Sequence, residues 1–142
     1  MELKTNKLKI QELLDKNEIT LKNLYYLDQD MGFLLDNTST INYMDCNNLN
    51  INIESKINRI GFIKCSDICI NLNGLISGIE IKNSTNININ NGLKKNVNYI
   101  KIENSSNITI IISKKIHKDV YYEIDKSYNI TIFDHHNKKL LY

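Results

Sequence analysis

Five stretches of this chain copy one another, and that repetition constrains the fold more than any other feature. They are Ile41–Ile51, Ile60–Ile70, Ile79–Ile89, Ile100–Ile110 and Tyr122–Ile132. Each reads apolar, x, apolar, x, x, small, x, Asn or Asp, apolar, x, apolar. The small residues are Cys46, Cys65, Ser84, Ser105 and Ser127, at steps of 19, 19, 21 and 22 residues. Each unit holds two short runs with the two-residue alternation of a strand. Strands recurring at that period predict a solenoid whose coils stack on one another.

The small residue marks a tight corner that points inward. Two residues later come Asn48, Asp67, Asn86, Asn107 and Asn129. Asn and Asp tolerate left-handed backbone and hydrogen-bond their own chain at turns. In a stack the same position recurs about every 4.8 Å, so these side chains can also bond along the stack. Both columns are read as structural. Coils that pair strand on counterpart strand give an all-β, right-handed parallel β-helix of about five regular coils. The alternative is a hairpin-built β-sandwich, which needs tight Asn-Gly turns between strands. Asn73-Gly74 and Asn91-Gly92 are the two such pairs, and they fit solenoid corners equally well.

The organisation follows from the repeat. Residues 1–40 form a cap and an irregular first coil, 41–133 the repeat domain, and 134–142 a tail. Leu8, Ile10, Leu13 and Leu14 put apolar side chains on one side of a short helix within 1–17. Residues 20–27 are open between strand and helix, and Phe33–Leu35 reads as a further strand. The end of a stack exposes unpaired backbone, so Leu140, Leu141 and Tyr142 either cover it or pair with a second chain. A homodimer through this segment is expected.

Composition excludes several function classes. A net charge of +2 across 142 residues gives no footprint for nucleic acid. No stretch has the length of a membrane span, and no apolar leader opens the chain. A cytoplasmic location follows, or a virion or host cytoplasm if the protein is viral, with the three cysteines reduced. His117, His135 and His136 lack the spacing to join Cys46, Cys65 and Cys69 around zinc, so neither metal nor cofactor is expected. No Gly-rich phosphate loop or nucleophile elbow is present. Glu80 and Glu103 read as equivalent outward positions, with Glu123 in the next coil, a carboxylate column that is either solvated surface or the metal-binding or acid–base face a pectate-lyase-like enzyme needs. Lys82 and Lys101 lie close enough to neutralise it. Lys56, Lys94, Lys95, Lys114 and Lys115 gather at one corner of successive coils as a basic ridge for an acidic partner, or as a charged edge that blocks aggregation.

Three words in the repeat carry a family likeness. Ser55-Lys-Ile-Asn-Arg-Ile60, Lys64-Cys65 and Leu75-Ile-Ser-Gly-Ile-Glu-Ile-Lys-Asn-Ser84 resemble runs in the C-terminal domain of adenylyl cyclase-associated proteins. Lys95-Asn-Val-Asn-Tyr-Ile-Lys-Ile and Ile112-Ser113 have counterparts too. The resemblance spans about Ile41 to Phe133. It implies a right-handed parallel β-helix that is not an enzyme, binds monomeric actin, promotes exchange of actin-bound ADP for ATP, and dimerises. The related tubulin-binding cofactor C proteins are GTPase activators that use an arginine finger. That finger's position falls at Gly61, and the one arginine of this chain, Arg59, lies two residues earlier. Partner binding is therefore expected from Lys56, Arg59, Lys94, Lys95, Lys114 and Lys115. A rigid dimeric building block and a GTPase regulator are the other two functions open.

Overall fold

The computed structural model describes residues 18–30, 35, 38–72, 75–91, 97–112 and 119–134. They form twelve strands: β1 Glu18–Lys22, β2 Tyr25–Asp30, β3 Thr40–Met44, β4 Asn47–Ile53, β5 Ile57–Ile63, β6 Ser66–Leu72, β7 Leu75–Lys82, β8 Thr85–Asn91, β9 Tyr99–Glu103, β10 Ser106–Ile112, β11 Tyr121–Asp125 and β12 Tyr128–Asp134. Odd strands make one six-stranded sheet and even strands another, each in chain order. Every pairing is parallel. The chain is thus a parallel β-helix with two strands per coil, and the hairpin sandwich is excluded.

Register explains why the core is so uniform. Ile41, Ile60, Ile79 and Ile100 lie directly over one another in the first sheet. Ile51, Ile70, Ile89, Ile110 and Ile132 do the same in the second. These side chains are buried and face one another across the interior. A β-branched side chain suits a pleated, enclosed strand, and each such burial is worth about 1.5–3 kcal/mol. Larger side chains cluster toward the start of the stack, where the Tyr43 and Phe62 rings lie nearly parallel with centroids 5.5 Å apart. The Tyr43 hydroxyl donates to Gln29 Oε1 at 3.0 Å. Burial pushes the Tyr43 phenol well above its ordinary pKa, so it stays a neutral donor.

The first coil is more regular than the sequence suggests. Residues 20–27 are not helical: β1 pairs with β3 and β2 with β4, both in register. The irregularity lies in the corner, where Leu24 stands in the small position and Tyr26 in the Asn position. Short polar residues mark the corner elsewhere, and their absence here is what hides the coil. Leu35 packs in the core. The helix expected within 1–17, and Phe33 and Leu34, lie outside the described residues, as do Asn73, Gly74 and Gly92.

The stack ends differently from its middle. In the last coil Tyr122, Ile124 and Ile130 occupy core columns but are only partly covered. Burial still pushes the Tyr122 phenol up to about 12. Ile100→Ala, in the fully enclosed part, is expected to lose about 2–5 kcal/mol. Ile124→Ala should lose clearly less, because water already reaches its site. Urea unfolding of the two variants checks the difference.

Candidate functional site: the corner ladder and the outer face of the first sheet

The corner between the two sheets is a hydrogen-bonded ladder. Ser84, Ser105 and Ser127 each donate Oγ–H to the carbonyl two residues back, all at 2.9 Å. The same oxygens accept the corner N–H of the preceding coil: Cys65 N at 3.1 Å, Ser84 N at 3.1 Å and Ser105 N at 3.0 Å. Cys46 and Cys65 reproduce the donor half with thiols, each lying between the carbonyl two residues back, Met44 O at 3.3 Å and Ile63 O at 3.4 Å, and one of the preceding coil, Leu21 O at 3.6 Å and Tyr43 O at 3.3 Å. All three cysteines are free. A shared hydrogen bond with Cys46, together with burial, raises the Cys65 thiol above its usual pKa. From the second coil on the corner residue is small and four of the five, Cys46, Cys65, Ser84 and Ser105, are buried, whereas the first coil accommodates Leu24 there.

Two residues after each small position the backbone is left-handed. Asn48, Asp67, Asn86, Asn107 and Asn129 all have φ of 55° or 56°. Asn86 Nδ2 donates to Asp67 Oδ1 at 3.0 Å, and Asn129 Nδ2 donates to Asn107 Oδ1. Asn48 turns instead to its neighbour Asn47 at 2.8 Å. A second left-handed column sits one residue before the small position: Asn23, Asp45, Lys64, Asn83, Asn104 and Lys126, with φ from 50° to 57°. Sequence reasoning missed it, because the two lysines break the Asn/Asp signature. Within it Asn104 Nδ2 donates to Asn83 Oδ1 at 2.6 Å.

On the outer face of the first sheet three coils contribute to one cluster. Arg59 on β5 approaches Glu80 on β7 at 3.4 Å. Tyr99 on β9 donates its hydroxyl to the same Glu80 Oε1 at 3.1 Å. Hydrogen bonding to Tyr99, with the Glu80 charge adding to it, raises the Arg59 pKa against partial desolvation. The guanidinium is thus laid along the sheet rather than projected from it. Glycines flank the cluster and make it flat. A Cβ on Gly78 would lie 2.6 Å from Tyr99 O and 2.7 Å from its ring. A Cβ on Gly61 would lie 2.6 Å from Asn42 Oδ1, and the Asn42 amide in turn donates to Glu18 Oε1 at 3.2 Å.

The carboxylate column expected on this face is not one column. Register sets Glu80 beside Lys101 and Lys101 beside Glu123. Glu103 belongs to the next outward column, between Lys82 and Asp125. Glu80 precedes its inward isoleucine, Ile81, whereas Glu103 follows its own, Ile102, so the two lie on the same face but two register positions apart, in neighbouring columns. Lys101 and Glu123 approach to 4.0 Å. The Glu80, Lys101, Glu123 column alternates in sign, and among the described residues of this face Glu103 and Asp125 are the one adjacent carboxylate pair, next to Lys82. Among the described residues no group of three or more His, Cys, Asp or Glu could hold a metal ion.

Lys56 lies half-buried between β4 and β5, three residues before Arg59. Lys94, Lys95, Lys114 and Lys115 lie outside the described residues, as do His117, His135, His136, Leu140, Leu141 and Tyr142. The ridge is therefore represented here by Lys56 alone.

A β-helix whose side-chain ladders and flat, charge-paired sheet face carry its polar groups is a scaffold of the binding-domain class. The chain belongs to the adenylate cyclase-associated (CAP) C-terminal family, whose model matches residues 1–139. A similar solved structure is the cyclase-associated protein from Cryptosporidium parvum, with a TM-score of 0.62 at 23% identity. The likeness covers 87% of this chain and 68% of that one, and it shows the shared fold. No curated protein matches the chain significantly.

The two glycines yield a test. Gly78→Ala sets a methyl against the Tyr99 backbone and should lose about 1–3 kcal/mol. Gly61→Ala meets only a side-chain amide that can swing away, so it should lose less. Thermal unfolding followed by circular dichroism ranks them.

Proposed function

We propose that this chain is a non-enzymatic binding domain for monomeric actin that promotes exchange of the actin-bound nucleotide, working in the cytoplasm as a homodimer. The family match over residues 1–139 carries this reading. The binding surface in this reading is the outer face of the first sheet around Arg59, Glu80 and Tyr99, with Lys56, Lys94, Lys95, Lys114 and Lys115, which the repeat pattern assigns to one corner, as further partner-binding residues. A flat face held by cross-coil bonds is preorganised, so little ordering cost falls on association. The lysine edge would raise the association rate for an acidic partner more than the final affinity.

The last coil supports the dimer. Both sheets end there among the described residues, at β11 and β12, above core side chains that are only partly covered. The tail 134–142, ending in Leu140, Leu141 and Tyr142, supplies the segment that would pair across to a second copy. The arginine-finger reading is disfavoured by the engagement of Arg59 with Glu80 and Tyr99.

Release of a fluorescent nucleotide from monomeric actin should accelerate on adding this protein at micromolar excess. Arg59→Ala should weaken that effect about tenfold, since hydrogen bonds to a charged group are typically worth 1.5–3 kcal/mol. Equal release rates with and without the protein would overturn the actin reading. A dimer by sedimentation together with equal rates would point instead to a rigid building block.

A further inference from the structure

Along the corner, on the side of the first left-handed column, runs a groove of about 430 Å³. Lys64 and Lys126 stand at its two ends and Asn83 and Asn104 between them, one residue from each of four successive coils. These four residues have φ of 53°, 52°, 50° and 50°. Asn adopts that conformation readily, and a lysine does so against its preference. The other two residues of the column are Asn23 and Asp45. Lysine thus occupies the two groove-end positions although the backbone there favours Asn. Strain of this kind at an exposed position points to a role for the side chain rather than for the turn.

The rest of the lining suits an anion. Thr85 and Ser106 share one hydrogen bond between their hydroxyls at 3.1 Å, which leaves one O–H to donate elsewhere. Asn104 Nδ2 donates to Asn83 Oδ1, which leaves the Asn83 NH₂ as a donor. Tyr128, 71% exposed, adds a phenol at the Lys126 end. Among the described residues no carboxylate lines the groove. The acids beside it are Asp45, one coil before Lys64 in the same column, and Glu103 and Asp125, which precede Asn104 and Lys126 and lie in an outward column of the first sheet, beside Lys82. Lys64, Lys82 and Lys126 are matched in number by these three acids, so the two groove lysines and the hydroxyl and amide donors, not a wider positive field, supply the attraction. The backbone N–H groups of Lys64, Asn83, Thr85, Asn104 and Ser106 already bond to adjacent coils, so side chains do the reading.

We propose that this groove binds a small ligand carrying two linked phosphoryl groups. Lys64 and Lys126 are three coil steps apart, roughly 14 Å between backbones, and lysine side chains reaching inward from both ends bracket a ligand of that kind. The Thr85–Ser106 hydroxyls and the Asn83 amide bind its central oxygens. This site lies at the corner and does not depend on the actin reading.

Titration of the full chain with inorganic pyrophosphate at low salt, followed by amide NMR shifts, tests it. Saturable shifts are expected at Asn83, Thr85, Asn104 and Ser106. Inorganic phosphate should bind at least about tenfold more weakly, because it cannot engage both lysines. Lys64→Ala and Lys126→Ala should each weaken pyrophosphate about tenfold, and Lys101→Ala, on the outer sheet face, should not. The proposal fails if shifts do not saturate, if phosphate matches pyrophosphate, or if Lys101→Ala weakens binding as much as the groove lysines do. Far-UV circular dichroism establishes that each variant is folded.

Discussion

Everything in this molecule depends on the hydrogen bond between a corner side chain and the backbone of the coil before it. The chain must turn sharply between its two sheets once per coil, and a sharp turn strands backbone donors in a place water does not reach. Ser84, Ser105 and Ser127 answer this with one oxygen that both donates and accepts. The carbonyls two residues before the corner serve twice as well: Glu103 O accepts from both Ser105 Oγ and Asn83 N. Because each corner is completed by its neighbours, no coil is satisfied alone, as expected of a solenoid.

That dependence divides the surface. Inside, the in-register isoleucines leave no freedom for function. At the corner, polar side chains are largely consumed by the ladder. The outer face of the first sheet is where side-chain choice is freest, and there Arg59, Glu80 and Tyr99 form a bonded group spanning three coils. The outward column of the second sheet, Asp28, Asn50, Cys69, Asn88, Thr109 and Thr131, by contrast carries one charge, at its first coil. Of the two sheet faces, the first therefore offers the charge pattern a protein partner could recognise.

The β-helix and its columns were legible in the sequence because the same physical demand is met at each repeat. Ile100 and Ile79 meet one constraint, so they look alike. The first coil was less legible because Leu24 and Tyr26 replace the expected small residue and Asn. The second left-handed column was hidden by Lys64 and Lys126, whose side chains reveal nothing of their backbone. The site was harder still. Arg59 stood out as the lone arginine, but its partners Glu80 and Tyr99 lie about twenty and forty residues away, and register alone brings them together. Glu103 points outward as expected but stands two register positions from Glu80, because the side of the inward isoleucine on which each glutamate falls decides its column.

The corner ladder can be tested without touching the core. Ser105→Ala removes the acceptor for the buried Ser84 N–H, while the Glu103 carbonyl keeps its bond from Asn83. Leaving that donor unmet should lower stability to urea unfolding by about 1–3 kcal/mol. Cys65→Ser installs the group used in the three following coils and should change stability by less than about 1 kcal/mol. A Ser105→Ala protein as stable as the parent, or a Cys65→Ser protein that loses more than it, would contradict the claim that this bond holds the stack together.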